Sequence, residues 1–84
     1  MAIDEYQTAI QLAPKYAAFH YDLGLALREA ATASATDKER ANRLEDACRA
    51  FAEGSKLAPD DSGFPARMHD IDSLMNGHGH CPST

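Results

Sequence analysis

Two stretches of this 84-residue chain carry the same spaced series. Ala2, Tyr6, Ala9 and Pro14 are separated by four, three and five residues, and so are Ala47, Phe51, Gly54 and Pro59. The endings agree as well: Ile10-Gln11-Leu12-Ala13-Pro14 against Ser55-Lys56-Leu57-Ala58-Pro59. A small residue, an aromatic four later and a small residue three later fall on one face of an α-helix. The proline that follows cannot continue that helix. A series that recurs with its stop signal marks a supersecondary unit used more than once. Such units stack into scaffolds, because a single one cannot bury its apolar face alone.

The size of the chain limits what else it can be. It makes one small domain, and a domain this small buries only about 60–65% of the surface its unfolded form exposes. With 13 acidic and 8 basic residues, its net charge is -5. Nucleic acid and anionic membrane surfaces both call for a basic footprint, so neither is expected as a partner. No apolar run approaches the ~18 residues of a membrane-spanning helix. The start, Met-Ala-Ile-Asp-Glu, has neither the basic nor the apolar region of a secretion signal. A cytoplasmic location is the expectation. Cys48 and Cys81 are too few for a disulfide framework. Cys48, on an apolar helix face, is expected to be a small core residue.

Apolar periodicity gives four helices. The first spans residues 2–13, with Ala2, Ile3, Tyr6, Ala9, Ile10 and Ala13 as its stripe. The second spans 16–31, where Phe19, Leu23, Ala26, Leu27 and Ala30 share a face. Gly24 lies beside that face; a mid-helix glycine costs about 1 kcal/mol against alanine, so its presence signals a close helix–helix approach. Residues 31–36 are small and lack large anchors, which fits either a loop or a helical extension. The third helix starts after Thr36, because Thr36-Asp37-Lys38-Glu39 reads as a capping box. Glu39 with Arg43 and Glu45 with Arg49 are four-apart ion pairs on it. Asp60 and Asp61 serve the turn after Pro59. The fourth helix spans 65–75, opened by Pro65 and faced by Phe64, Met68, Ile71, Leu74 and Met75. Residues 76–84 lack periodicity and are expected to form a mobile tail beside a helical domain of residues 1–75.

These residues resemble the tetratricopeptide repeat (TPR), a helix–turn–helix unit of 34 residues. The second helix of such a unit carries the small–aromatic–small–proline series, and the first carries a bulky residue, leucine-glycine and another bulky residue. His20, Leu23, Gly24 and Leu27 fill those slots here. The resemblance covers residues 2–59 well and then weakens. It implies an all-α fold, an antiparallel helix–turn–helix TPR-like stack (an α-α superhelix) of about four helices. The order would be a preceding half repeat, one full repeat and a degenerate terminal helix. The two prolines stand 45 residues apart, so the full unit holds an 11-residue insertion between Leu27 and Ala47. His69 falls in the slot of Gly24 and Pro65 in the aromatic slot, so the fourth helix reads as a terminal cap.

In this family the first helix of each unit lines a groove that binds peptides or proteins. The resemblance therefore implies a partner-binding face made by Ala18, Tyr21, Leu25, Arg28 and Glu29, with Thr32 at its end. Tyr21 and Arg28 are interface-prone types. A clamp for a terminal carboxylate is not implied, because Asp22 stands where an asparagine belongs and Ala18 offers no charge. Solenoid units need neighbours, so the edge presenting Ile3, Tyr6 and Ile10 is expected to be covered by a second copy, giving a homodimer, or by a larger partner.

Other chemistry is thin. His78-Gly79-His80-Cys81 is the one metal-like cluster. Imidazole and thiolate suit zinc, copper or nickel, but no second cluster completes a tetrahedral site. His78, His80 and Cys81 are weak candidates and no metal or other cofactor is expected. His20, at the edge of a core stripe, is expected to be packed or hydrogen-bonded. There is no phosphate-binding glycine loop, nucleophile elbow or HExxH. The expected function is a non-enzymatic module that binds a protein or peptide. The alternative is a metal-handling accessory protein built on the His-Cys tail.

Overall fold

Four α-helices follow one another in the computed structural model, which describes residues 3–75 and Cys81. They are α1 (Ile3–Leu12), α2 (Ala17–Thr32), α3 (Asp37–Leu57) and α4 (Gly63–Met75). The fold is all-α, as expected. Successive helices pack on one another, α1 on α2, α2 on α3 and α3 on α4, with the α2–α3 pair the most extensive. No described helix is long and apolar enough to cross a membrane.

The core is the α2–α3 seam and its continuation onto α4. On α2 the buried residues are His20, Gly24, Leu27 and Ala31, a four–three–four spacing that keeps one face inward. On α3 they are Leu44, Ala47, Cys48, Ala50, Phe51, Ala52 and Gly54. Phe51 is fully buried, and a side chain of that kind contributes about 1.5–3 kcal/mol through loss of apolar surface to water.

Two glycines set the distances between the helices. A Cβ on Gly24 would stand 2.6 Å from the Phe51 ring, so the close approach expected at Gly24 is made, and its occupant is the aromatic of the second series. Gly54 does the same one helix later: a Cβ there would overlap the ring of Phe64. Each glycine thus admits an aromatic ring from the next helix. Tyr21 ties the two contacts together, meeting Phe51 edge-on at 5.6 Å and Phe64 at 5.4 Å between ring centroids.

The insertion lengthens helices. Only residues 33–36 separate α2 from α3, and α3 runs for 21 residues. Thr36 caps α3 by accepting from the Glu39 backbone N–H at 3.1 Å, as its position predicts. His20 is buried as expected, and its Nε2–H donates to the Pro14 carbonyl at 2.9 Å. That bond fixes the tautomer, since a carbonyl can only accept.

Three local expectations are corrected. The fourth helix begins at Gly63, two residues before Pro65, because the Asp61 carboxylate accepts from the Gly63 N–H at 2.8 Å and starts the helix there. Leu74 does not join the apolar face: it is 45% exposed, while Phe64, Ile71 and Met75 are buried. The described ion pairs on α3 are three apart: Asp37 with Arg40 and Asp46 with Arg49, each at 3.1 Å, and Glu53 with Lys56 at 3.4 Å. Arg49, expected to pair with Glu45, pairs instead with Asp46, and neither expected four-apart pair is among the described ion pairs.

Candidate functional site

The outward face of α2 is built by residues that alternate with its buried set. Ala18 and Glu29 are exposed, and Tyr21, Leu25 and Arg28 are half-buried. All five expected groove residues therefore lie on one helix face. Two depressions run along it. One, of about 360 Å³, lies between Ala17, Ala18, Tyr21 and Asp22 of α2 and Asp61, Gly63 and Phe64 at the start of α4. The other, of about 300 Å³, is lined by Leu25, Arg28, Glu29 and Thr32.

Tyr21 sits at the wall of the first. Its ring edge rests on Phe51 and Phe64, so it is held by the core. Its hydroxyl accepts from Arg67 Nε at 2.8 Å. The guanidinium also lies 6.0 Å from the ring centroid and 3.5 Å from the Asp70 carboxylate. The Tyr21 hydroxyl, with Asp70 adding less, holds Arg67 even more firmly protonated than an arginine already is. The result is an aromatic whose position is set on three sides before any ligand arrives. Preorganisation of this kind lowers the ordering cost of binding.

Arg67, which lines neither depression but holds Tyr21 in place, is not anticipated from the sequence. A signal was present: the 45-residue offset between the two prolines places Arg67 opposite Asp22, on the same helix face. Asp22 and Asp61 give the first depression acidic rims. Among the described residues, Arg28 takes part in none of the four ion pairs, leaving its donors free beside the second.

The expected self-association edge is less uniform. Ile3, Tyr6 and Ile10 are all half-buried and α1 holds no fully buried residue. Ile3 packs against the core cluster. Leu12 is 83% exposed, the most exposed large apolar side chain described.

The tail candidates separate. His78 and His80 lie outside the described residues. Cys81 is described, and its sulfur is bonded to that of Cys48 across 33 residues of sequence. Cys48 is the small core residue it was expected to be, fully buried, but it is also half of a disulfide. Bonded in this way, Cys81 has no thiolate to give a metal. No group of three metal-ligating side chains occurs among the described residues. A third depression, of about 290 Å³, lies between the start of α3 and the end of α4 around Asp37, Ala41, Leu44 and Leu74. It holds none of the expected site residues.

Residues 1–29 match the family model described as TPR repeat. That span takes in α1 and most of α2, including the groove residues Ala18 to Glu29. No curated protein matches the chain, and no solved structure does.

Proposed function

We propose that this chain, whose residues 1–29 match the TPR-repeat family model, is a non-enzymatic module that holds a peptide or protein segment along the outer face of α2. One observation carries this reading: the outer side of α2 lines two depressions, one against Tyr21, which is held by Phe51, Phe64 and Arg67, and one further along the helix at Leu25, Arg28, Glu29 and Thr32. Proteins of this family generally bind proteins or peptides, and the groove residues fall within the matched span. A bound segment would place an apolar side chain against Tyr21 and Leu25 and pair with the donors of Arg28.

Selection of displayed peptides on the intact chain tests the proposal. The expected ligands lose at least tenfold in affinity to the double substitution Leu25→Glu, Arg28→Glu and none to Lys56→Ala on the exposed side of α3. Loss with Lys56→Ala and retention with the groove variant would place binding elsewhere.

The same module also self-associates through α1 in this proposal. That helix packs mainly on α2, and Tyr6, Ile10 and Leu12 stay partly or largely open. A second copy placed there would cover them. Sedimentation at micromolar concentration is expected to show a dimer that Ile10→Glu dissociates, and a well-folded monomer in the unaltered chain would contradict it.

A further inference from the structure

We propose that the Cys48–Cys81 disulfide is a redox-sensitive latch, and that Cys81 takes the place on α4 that a following helix would occupy in a longer stack. The register argument comes first. With the 45-residue offset, Leu23, Gly24 and Leu27 of α2 correspond to Met68, His69 and Asp72 of α4. On α2 that face meets α3: Gly24 receives Phe51, and Leu27 is in the core. On α4 the same face carries a histidine in the glycine slot and a carboxylate in the leucine slot. A close-packed helix is unsuited to such a surface, because it would bury Asp72 without a charge partner.

Cys81 is fitted to that face. Its backbone N–H donates to the Asp72 carboxylate, supplying the donor that a helix side would not. Its sulfur lies 3.2 Å from the Met68 carbonyl oxygen, one turn away on the same face. It is 9% exposed and belongs to the core cluster. The bond to fully buried Cys48 then joins the face to α3. Without that bond, a single residue with one hydrogen bond has little to hold it there against chain entropy.

The latch opens by thiol–disulfide exchange. A dithiol supplies both electrons and both protons. One of its thiolates attacks Cys81 Sγ, the more accessible sulfur, and forms a mixed disulfide as Cys48 leaves as a thiolate and takes a proton. The second thiolate of the reagent then displaces Cys81, leaving two cysteine thiols and a cyclic disulfide. Disulfides of this kind persist in oxidising compartments and act as transient sensors in reducing ones.

The test uses the intact chain. After equilibration in air, thiol titration should find no free thiol, and non-reducing peptide mapping should find Cys48 joined to Cys81 within one chain. Dithiothreitol should release two thiols and lower Tm by about 20 °C, the shift expected for opening a loop of this length in a domain of this size, while helicity at 25 °C is kept. Cys81→Ser should show the lowered Tm from the start and no response to dithiothreitol. Two free thiols in air, a link between chains, or a Cys81→Ser variant as stable as the oxidised chain would each overturn the latch. So would loss of all helicity on reduction, which marks a global staple. If Cys81→Ser does not fold, the dithiothreitol titration of the unaltered chain decides: the fall in Tm must track the release of thiols.

Discussion

The first and last described helices, α1 and α4, are packed to different depths. α1 lies on α2 with no fully buried residue, and its half-buried stripe ends at an exposed leucine. α4 buries Phe64, Ile71 and Met75, sends Phe64 into the space left by Gly54, and is joined to α3 through Cys81. Both flanks face the same problem, since a helical hairpin leaves a lateral surface that water solvates poorly. On the α4 side the chain closes that surface with its own covalent bond. On the α1 side, Tyr6 and Ile10 stay half-buried and Leu12 exposed. The groove lies between them on α2, attached to the most deeply buried part of the molecule.

Substitutions should separate these regions by size of effect. Phe51→Ala removes the ring that fills the Gly24 gap and supports Tyr21, so it acts on the seam that both flanks share. A loss of about 3–5 kcal/mol in a urea titration is expected, the cost of truncating a fully buried phenylalanine. A loss below about 1 kcal/mol would mean that the seam is not the centre of the fold. Gly54→Ala tests the α4 flank alone. Overpacking against Phe64 costs about 1–3 kcal/mol, and helix propensity returns at most about 1 kcal/mol. The net result should be a destabilisation of about 1–2 kcal/mol, and a stabilised variant would show that the ring can move aside. Ile10→Ala tests the α1 flank. Its side chain is half-buried, so the effect on the stability of the isolated chain should be the smallest, about 1 kcal/mol or less, well under the usual cost of a buried Ile→Ala.

The repeated series was legible because helical spacing is local. Gly24, His20 and the Thr36 cap were readable for the same reason, since each depends on neighbours within a few residues or on one packing partner of known type. The disulfide was not legible. Cys48 and Cys81 stand 33 residues apart, and nothing in their spacing says that their Cα atoms lie 5.2 Å apart. The ion pairs on α3 failed on a finer point: Glu45, favoured for Arg49 by the four-apart rule, competes with Asp46 three residues from the same arginine. The groove was half legible. Its α2 side follows from the family resemblance together with the helical spacing, while its α4 side, Gly63 and Phe64, depends on how the insertion is absorbed into longer helices.

Native-state hydrogen exchange on the oxidised chain tests the unequal flanks most directly, because it reads the opening free energy of each helix separately. The account predicts that α2 and α3 are protected most, α4 nearly as much, and α1 least by a wide margin at concentrations where the chain is monomeric. It also predicts that α1 gains protection as concentration rises while the others do not. Equal protection of α1 and α4 in the dilute chain, or an α4 that exchanges faster than α1, would contradict it.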